Sequence, residues 1–172
     1  MTTVAAQRGM MGTLKQFDSA SHAVYDTKGK EAMIKFLNDT IPTQFRTIEN
    51  PNEYGIDLLT LNEFDKVVYC WEIEVRHGNW RGDVKFPFNE INCIERKDYQ
   101  WRKDQKMLDQ IPYKMNSEYD VFYVQMNDLC NRAVVIEGNK ILQHNLKPWA
   151  NRKADGEYVR QVPISETTQI KL

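Results

Sequence analysis

Residues Lys66–Val75 read KVVYCWEIEV, and this run decides the fold. β-Branched and aromatic side chains fill it, and such side chains suit a pleated, half-buried surface. Side chains on a strand alternate between faces. Val68, Cys70, Glu72, Glu74 and Arg76 therefore project to one side, and Tyr69, Trp71, Ile73 and Val75 to the other. One face turns from apolar to charged at the strand's end. The strand is too apolar on its other face and in its first half for a casual edge.

Upstream, IDLLTL from Ile56 reads as a second strand, with Asp57 interrupting its apolar run, and NEFD, residues 62–65, as the turn between the two. TQFRTIE, residues 43–49, alternates enough for another strand between Pro42 and Pro51. A helix is predicted over Thr27 to Asn38, capped by Asp26 or Thr27, with Ala32, Met33, Phe36 and Leu37 as its apolar face. Residues 1–16 lack pattern and read as a flexible arm, leaving 17–172 as one domain. Downstream, HGNWRGD, His77 to Asp83, reads as a loop that could order on substrate, and FNEINCIE as a short strand. Arg96 to Gln110 is helix-compatible, anchored by Trp101 and Leu108. DVFYVQMN and RAVVIEG form two β-segments joined at Asp128–Asn131, and the tail is extended. This order predicts a mixed α/β class with a central sheet and additional C-terminal β-segments.

Composition limits the function classes. The chain has 172 residues, 41% hydrophobic and 27% charged, enough for a core and unlike a disordered chain. Mean hydropathy is −0.63, and the longest apolar run, Val67 to Trp71, is far below the roughly 18 residues of a membrane span. The first residues lack the basic and apolar regions of a secretory leader, so the expected location is cytoplasmic. A formal net charge of −1 argues against a histone-like packer. The three cysteines, Cys70, Cys93 and Cys130, form no C-x-x-C pair and read as buried reduced thiols.

The carboxylates carry the chemical signal. If the Asp57 strand pairs with KVVYCWEIEV, Asp57 approaches Glu72 and Glu74. Three carboxylates crowded at one end of a sheet repel each other unless a cation neutralises them. Carboxylate oxygens are the ligands Mg²⁺ prefers. A solvated sheet face paired with lysines is the alternative, and the residues alone leave both open.

Asp57, a hairpin-length gap and then Glu72-Ile73-Glu74 resemble the PD-(D/E)XK nuclease pattern: a helix, a strand bearing Asp, a strand bearing (D/E)-x-K, and a helix with basic or polar residues. The resemblance covers roughly Lys28 to Lys106. Beyond it, EIEVRHGNW through FPF to IERK, with DVFYVQMN and RAVVIEG, is similar to uncharacterised phage-encoded nuclease-like proteins. It implies a restriction-endonuclease-like mixed sheet flanked by helices, and hydrolysis of phosphodiester bonds, DNA first, with Mg²⁺ or Mn²⁺ on Asp57, Glu72 and Glu74. If the chain is phage-encoded, its place is the host-cell cytoplasm. Glu31 on the first helix would be an outer-shell carboxylate. The pattern's lysine is missing: Glu74 follows Glu72, and Arg76 follows Glu74. The cation's role then falls to Arg76, Lys97 or Lys85. The departure leaves a second expectation, a catalytically inactive nuclease-fold protein that binds nucleic acid or a partner protein. A small nuclease that cuts both strands needs two copies, so a homodimer is also open.

From Trp80 to Lys106 seven basic residues stand against five acidic ones, in a chain that is acidic overall. On one continuous helix Arg96, Tyr99 and Lys103 would share a face. Basic and aromatic side chains interleaved in this way suit phosphate contact and base stacking. Arg81 and Lys85 in the preceding segment extend the expected nucleic-acid surface.

Overall fold

The computed structural model describes residues 19–149 and 156–172. The expected arm at 1–16 lies outside the described residues. Helix α1 (Ser19–Thr40) precedes three antiparallel strands, β1 (Arg46–Glu49), β2 (Leu58–Leu61) and β3 (Val67–Val75). A crossover follows. It contains β4 (Glu90–Ile94), a 3-10 turn at Glu95–Lys97, α2 (Asp98–Trp101) and α3 (Gln105–Leu108). The chain then re-enters the sheet as β5 (Met115–Met126), which runs parallel to β3. Next come β6 (Arg132–Glu137), α4 (Gly138–Leu142), β7 (Leu146–Pro148), β8 (Tyr158–Pro163) and β9 (Thr168–Lys171).

The class is mixed α/β, as predicted, but there are two sheets. Six strands form the main sheet in the order β1-β2-β3-β5-β6-β9, and β4-β8-β7 form a second, antiparallel one. β3 lies inside the main sheet, buried along most of its length. Its Trp71 and Ile73 pack with Met33 and Leu37 of α1, and with Val124 and Met126. Cys70 faces the opposite cluster with Leu59, Ile91, Trp101, Tyr123 and Val162. The register slips near the start of β3, so Val67 rather than Val68 joins Cys70 there.

Two elements differ from the sequence reading. α1 begins eight residues earlier than predicted, and Asp26 lies inside it, 3.2 Å from Lys30 one turn on. The basic helix expected over Arg96 to Gln110 is broken: Lys103 has φ +57°, and Asp104 starts α3 by accepting the amide of Met107 at 3.3 Å. A non-glycine residue in the left-handed region cannot continue a helix. The cysteines are free and buried, as expected. Among the described residues no helix is long and apolar enough to cross a membrane.

α1 packs closely on β3 because Gly29 faces it. A Cβ at Gly29 would come within 2.6 Å of Val75 Cγ2. Gly29→Ala is therefore expected to lower stability by roughly 1–3 kcal/mol, as overpacking does. Val75→Ala on the same chain should recover part of that loss, which a urea-denaturation double-mutant cycle measures. Additive losses would show that the two side chains do not meet.

Candidate functional site

Asp57 stands at the bend just before β2, not within the strand. The β1–β2 loop holds it there. The Asn50 amide donates to the Ile56 carbonyl at 2.9 Å and to the Gln110 carbonyl at 3.2 Å, and the Asn50 backbone N–H donates to the Asp57 carbonyl. Gly55 is required for this closure, since a Cβ there would lie 2.4 Å from the Asn50 amide nitrogen. The Asp57 carboxylate accepts the Ile73 backbone N–H at 2.7 Å. Its other oxygen is 3.2 Å from the Lys30 ammonium, which is equally close to Asp26 and Glu49. Burial raises the Asp57 pKa, and the Ile73 amide and Lys30 partly offset it.

Leu58 pairs with Trp71, so the antiparallel register carries Asp57 toward Glu72. Glu72 is buried. One of its oxygens takes the Lys97 ammonium, and the other accepts the Gln100 amide at 3.1 Å. Burial, and then the charge of Asp57, push the Glu72 pKa up to about 7 against the pull of Lys97 and Gln100. Burial works against the Lys97 charge, but Glu72 outweighs it and the Lys97 pKa rises.

Glu74 turns elsewhere. It accepts the hydroxyl of Tyr123, and Arg76 Nε lies 3.3 Å from its other oxygen. Tyr123 is brought there by β5, whose parallel register sets it beside Glu72. Gln125 donates to the Tyr123 oxygen at 2.7 Å, and burial followed by the Glu74 charge drives the phenol pKa far up. Glu72, Glu74, Arg76, Arg96, Lys97 and Tyr123 line one cleft of 480 Å³ between the main sheet and the β4 side.

The expected three-carboxylate centre is corrected in one respect. Among the described residues no group of three His, Cys, Asp or Glu side chains is arranged to hold a metal ion. Asp57 and Glu72 come together electrostatically, while Glu74 is held by Tyr123 and Arg76. The donor types still fit a hard divalent ion. Asp57 at the bend before β2 and Glu72 on β3 supply two carboxylates, and the Gln100 amide that holds Glu72 has a buried oxygen without a hydrogen-bond partner among the described residues.

The expected nucleic-acid surface is dispersed. Arg96 lines the cleft, but the helix break separates it from Lys103, which bonds the Tyr119 carbonyl and lies 4.7 Å over the Tyr119 ring. Tyr99 sits under the Lys106 ammonium at 4.3 Å. Arg81 is exposed on the loop after β3, and Lys85 lines a separate cleft with Trp80 and Arg132. Trp80 itself is only 1% exposed, a core residue and not a substrate contact. Glu31 is exposed on α1. Sequence reasoning missed Lys30, Gln100 and Tyr123. The spacing of Asp26 and Lys30 was a local signal, whereas Gln100 and Tyr123 acquire roles only through the fold.

Compared with protein-family models, with curated proteins and with solved structures, the chain finds no match in any of the three.

A carboxyl group with a higher pKa folded than unfolded binds its proton more tightly in the native state, so its ionisation costs stability as pH rises. For Glu72 the interval runs from 4.5 to about 7. Across it, the native chain is expected to lose stability relative to Glu72→Gln by on the order of 1 kcal/mol or more. Urea denaturation at a series of pH values measures this. Parallel curves would show that Glu72 ionises like an ordinary surface carboxylate.

Proposed function

We propose that this protein hydrolyses phosphodiester bonds of nucleic acid, DNA in the first place, with Mg²⁺ or Mn²⁺, as a PD-(D/E)XK-type nuclease whose lysine has moved. The observation that supports it is the approach of Asp57, at the bend before β2, to Glu72 on β3, with Lys97 delivered to Glu72 from the crossover. Helix α1, the Asp57 element, the Glu72 strand and the Lys97–Gln100 segment follow in the order of the pattern.

Asp57 and Glu72 would hold the ion, with the Gln100 amide oxygen as a further donor. A divalent ion supplies activation of water and neutralisation of charge on the phosphoryl oxygens. The chain's own groups do the rest. Lys97 offers a positive charge at the buried end of the cleft. Arg76, fixed beside Glu74, can grip a phosphate but stays protonated, so it cannot act as a base. Tyr123 holds Glu74, and so keeps Arg76 at the wall of the cleft.

Purified protein incubated with plasmid and with single-stranded DNA, in Mg²⁺, Mn²⁺ or EDTA, tests the reading. Cutting should require the metal and vanish in Asp57→Ala and Glu72→Gln. Lys97→Ala should lower the rate roughly 10²–10³-fold, as for loss of one preorganised charge-stabilising donor, and Lys97→Arg should recover part of it. Cutting that persists in Asp57→Ala would identify a contaminant. A second reading, a nuclease-fold protein without activity, is favoured by one observation: Lys30 and Lys97 already neutralise the two carboxylates. Absence of metal-dependent cutting under all these conditions would support it.

A further inference from the structure

A second cleft opens beside the first and shares Arg76 and Asn92 with it. Its volume is 460 Å³, within the roughly 300–1,000 Å³ of small-molecule sites. Phe88 forms one wall. The residue is 43% exposed, yet its ring is backed edge-on by Phe86 at 5.5 Å, and Phe86 rests on the buried Trp80 at 5.0 Å. Trp80 is itself fixed, since its indole N–H donates to the Val84 carbonyl at 3.0 Å. Phe88 is thus an exposed aromatic face on a rigid support.

The other walls are amides. Asn79 and Asn89 are exposed at the rim, and their side-chain amides make no hydrogen bond among the described residues. Asn92 and Gln161 lie deeper, joined at 3.3 Å. Asn79 and Asn89 each present a donor and an acceptor, the combination that pairs with the edge of a nucleobase, while the Asn92 oxygen is taken by Gln161 and the Gln161 oxygen by Lys147 at 3.2 Å. Among the described residues, Glu90 is the one acidic residue of the lining and Arg76 the one cation. Aromatic face, amide edges and guanidinium correspond to the three parts of a nucleotide: base plane, base edge and phosphate.

We infer that this cleft seats one unpaired base of a single-stranded nucleic acid, stacked on Phe88, with its phosphate on Arg76 and the strand continuing into the Glu72 cleft. The inference rests on the proposed nuclease reading for the direction of the strand. A base inside a duplex cannot reach Phe88, because both its faces are stacked and its pairing edge is occupied. The site therefore selects single strands, and the amides rather than the backbone decide which base is favoured.

The test is binding without catalysis. Fluorescence anisotropy in EDTA compares short homopolymer single strands of DNA and of RNA with a duplex of the same length. Single strands should bind more tightly than duplex, with one homopolymer preferred. Phe88→Ala should weaken single-strand binding about tenfold, the effect of losing one stacking platform, and Phe88→Trp should restore it. Phe88 is half in solvent, and an unchanged melting temperature checks that the variant is folded. Equal affinity for duplex, no single-strand binding, or wild-type affinity in Phe88→Ala would each overturn the inference. If Phe88-dependent single-strand binding is present but metal-dependent cutting is absent, the pocket stands and the nuclease reading fails. If cutting is present and indifferent to Phe88, the pocket fails and the nuclease reading stands.

Discussion

Two strands that run the same way cannot be joined by a tight turn, and the parallel pairing of β3 with β5 obliges residues 76–114 to leave one end of the sheet and return to the other. Most of what makes this molecule distinctive lies on that excursion. β4 starts the second sheet, and the 3-10 turn and α2 bring Lys97 and Gln100 over Glu72. The same pairing sets Tyr123 next to Glu72 in register, with its hydroxyl on Glu74. A hairpin between these strands would place none of the three groups at the carboxylates.

Buried carboxylates make that excursion an electrostatic matter as well as a topological one. An ionised carboxyl taken out of water is costly unless it is paired and hydrogen-bonded. Asp57 meets this with Lys30 and the Ile73 amide and Glu72 with Lys97 and Gln100, while the half-exposed Glu74 takes Tyr123 and Arg76. Burial first, and then the Asp57 charge, outweigh Lys97 and Gln100, which is why the Glu72 pKa stands near neutrality. Glu72 and Glu74 share one cleft, whereas Asp57 opens into another beside Lys30 and Glu49, so the Asp57 charge reaches Glu72 from behind the cleft wall.

The second sheet is fastened to this centre by an ion pair. Arg160 on β8 reaches Asp98 at the start of α2 through both Nε and Nη2, the latter at 2.8 Å, and also bonds the His144 carbonyl. Asp98 and Arg160 are buried, so loss of Asp98 leaves the Arg160 charge without a carboxylate, whereas loss of Arg160 leaves Asp98 with Arg102 at 3.1 Å alone. The pair fixes α2, and with it Gln100, against the sheet that supplies Asn92 and Gln161 to the amide-lined cleft. Chain segments far apart in sequence thus meet at both clefts.

The sequence by itself determined the strands and the charged end of the central one. Period-two alternation in KVVYCWEIEV places Glu72, Glu74 and Arg76 on one face, and the helix face of Met33 and Leu37 follows from 3.6-residue spacing. These are local properties, set by backbone geometry. Tertiary structure alone decided the rest. The segment Arg96 to Gln110 is helix-compatible by its sequence, but Lys103 takes the left-handed region and turns toward Tyr119, so the expected basic face never forms. The pattern of FNEINCIE predicts a strand but not its sheet, and β4 pairs with β8, 69 residues on at the Asn92–Gln161 position. Lys30 to Asp57, Lys97 to Glu72 and Tyr123 to Glu74 are likewise long-range contacts. Periodicity reports which way a side chain faces, whereas its partner depends on how strands pair across the chain, and no local pattern encodes that.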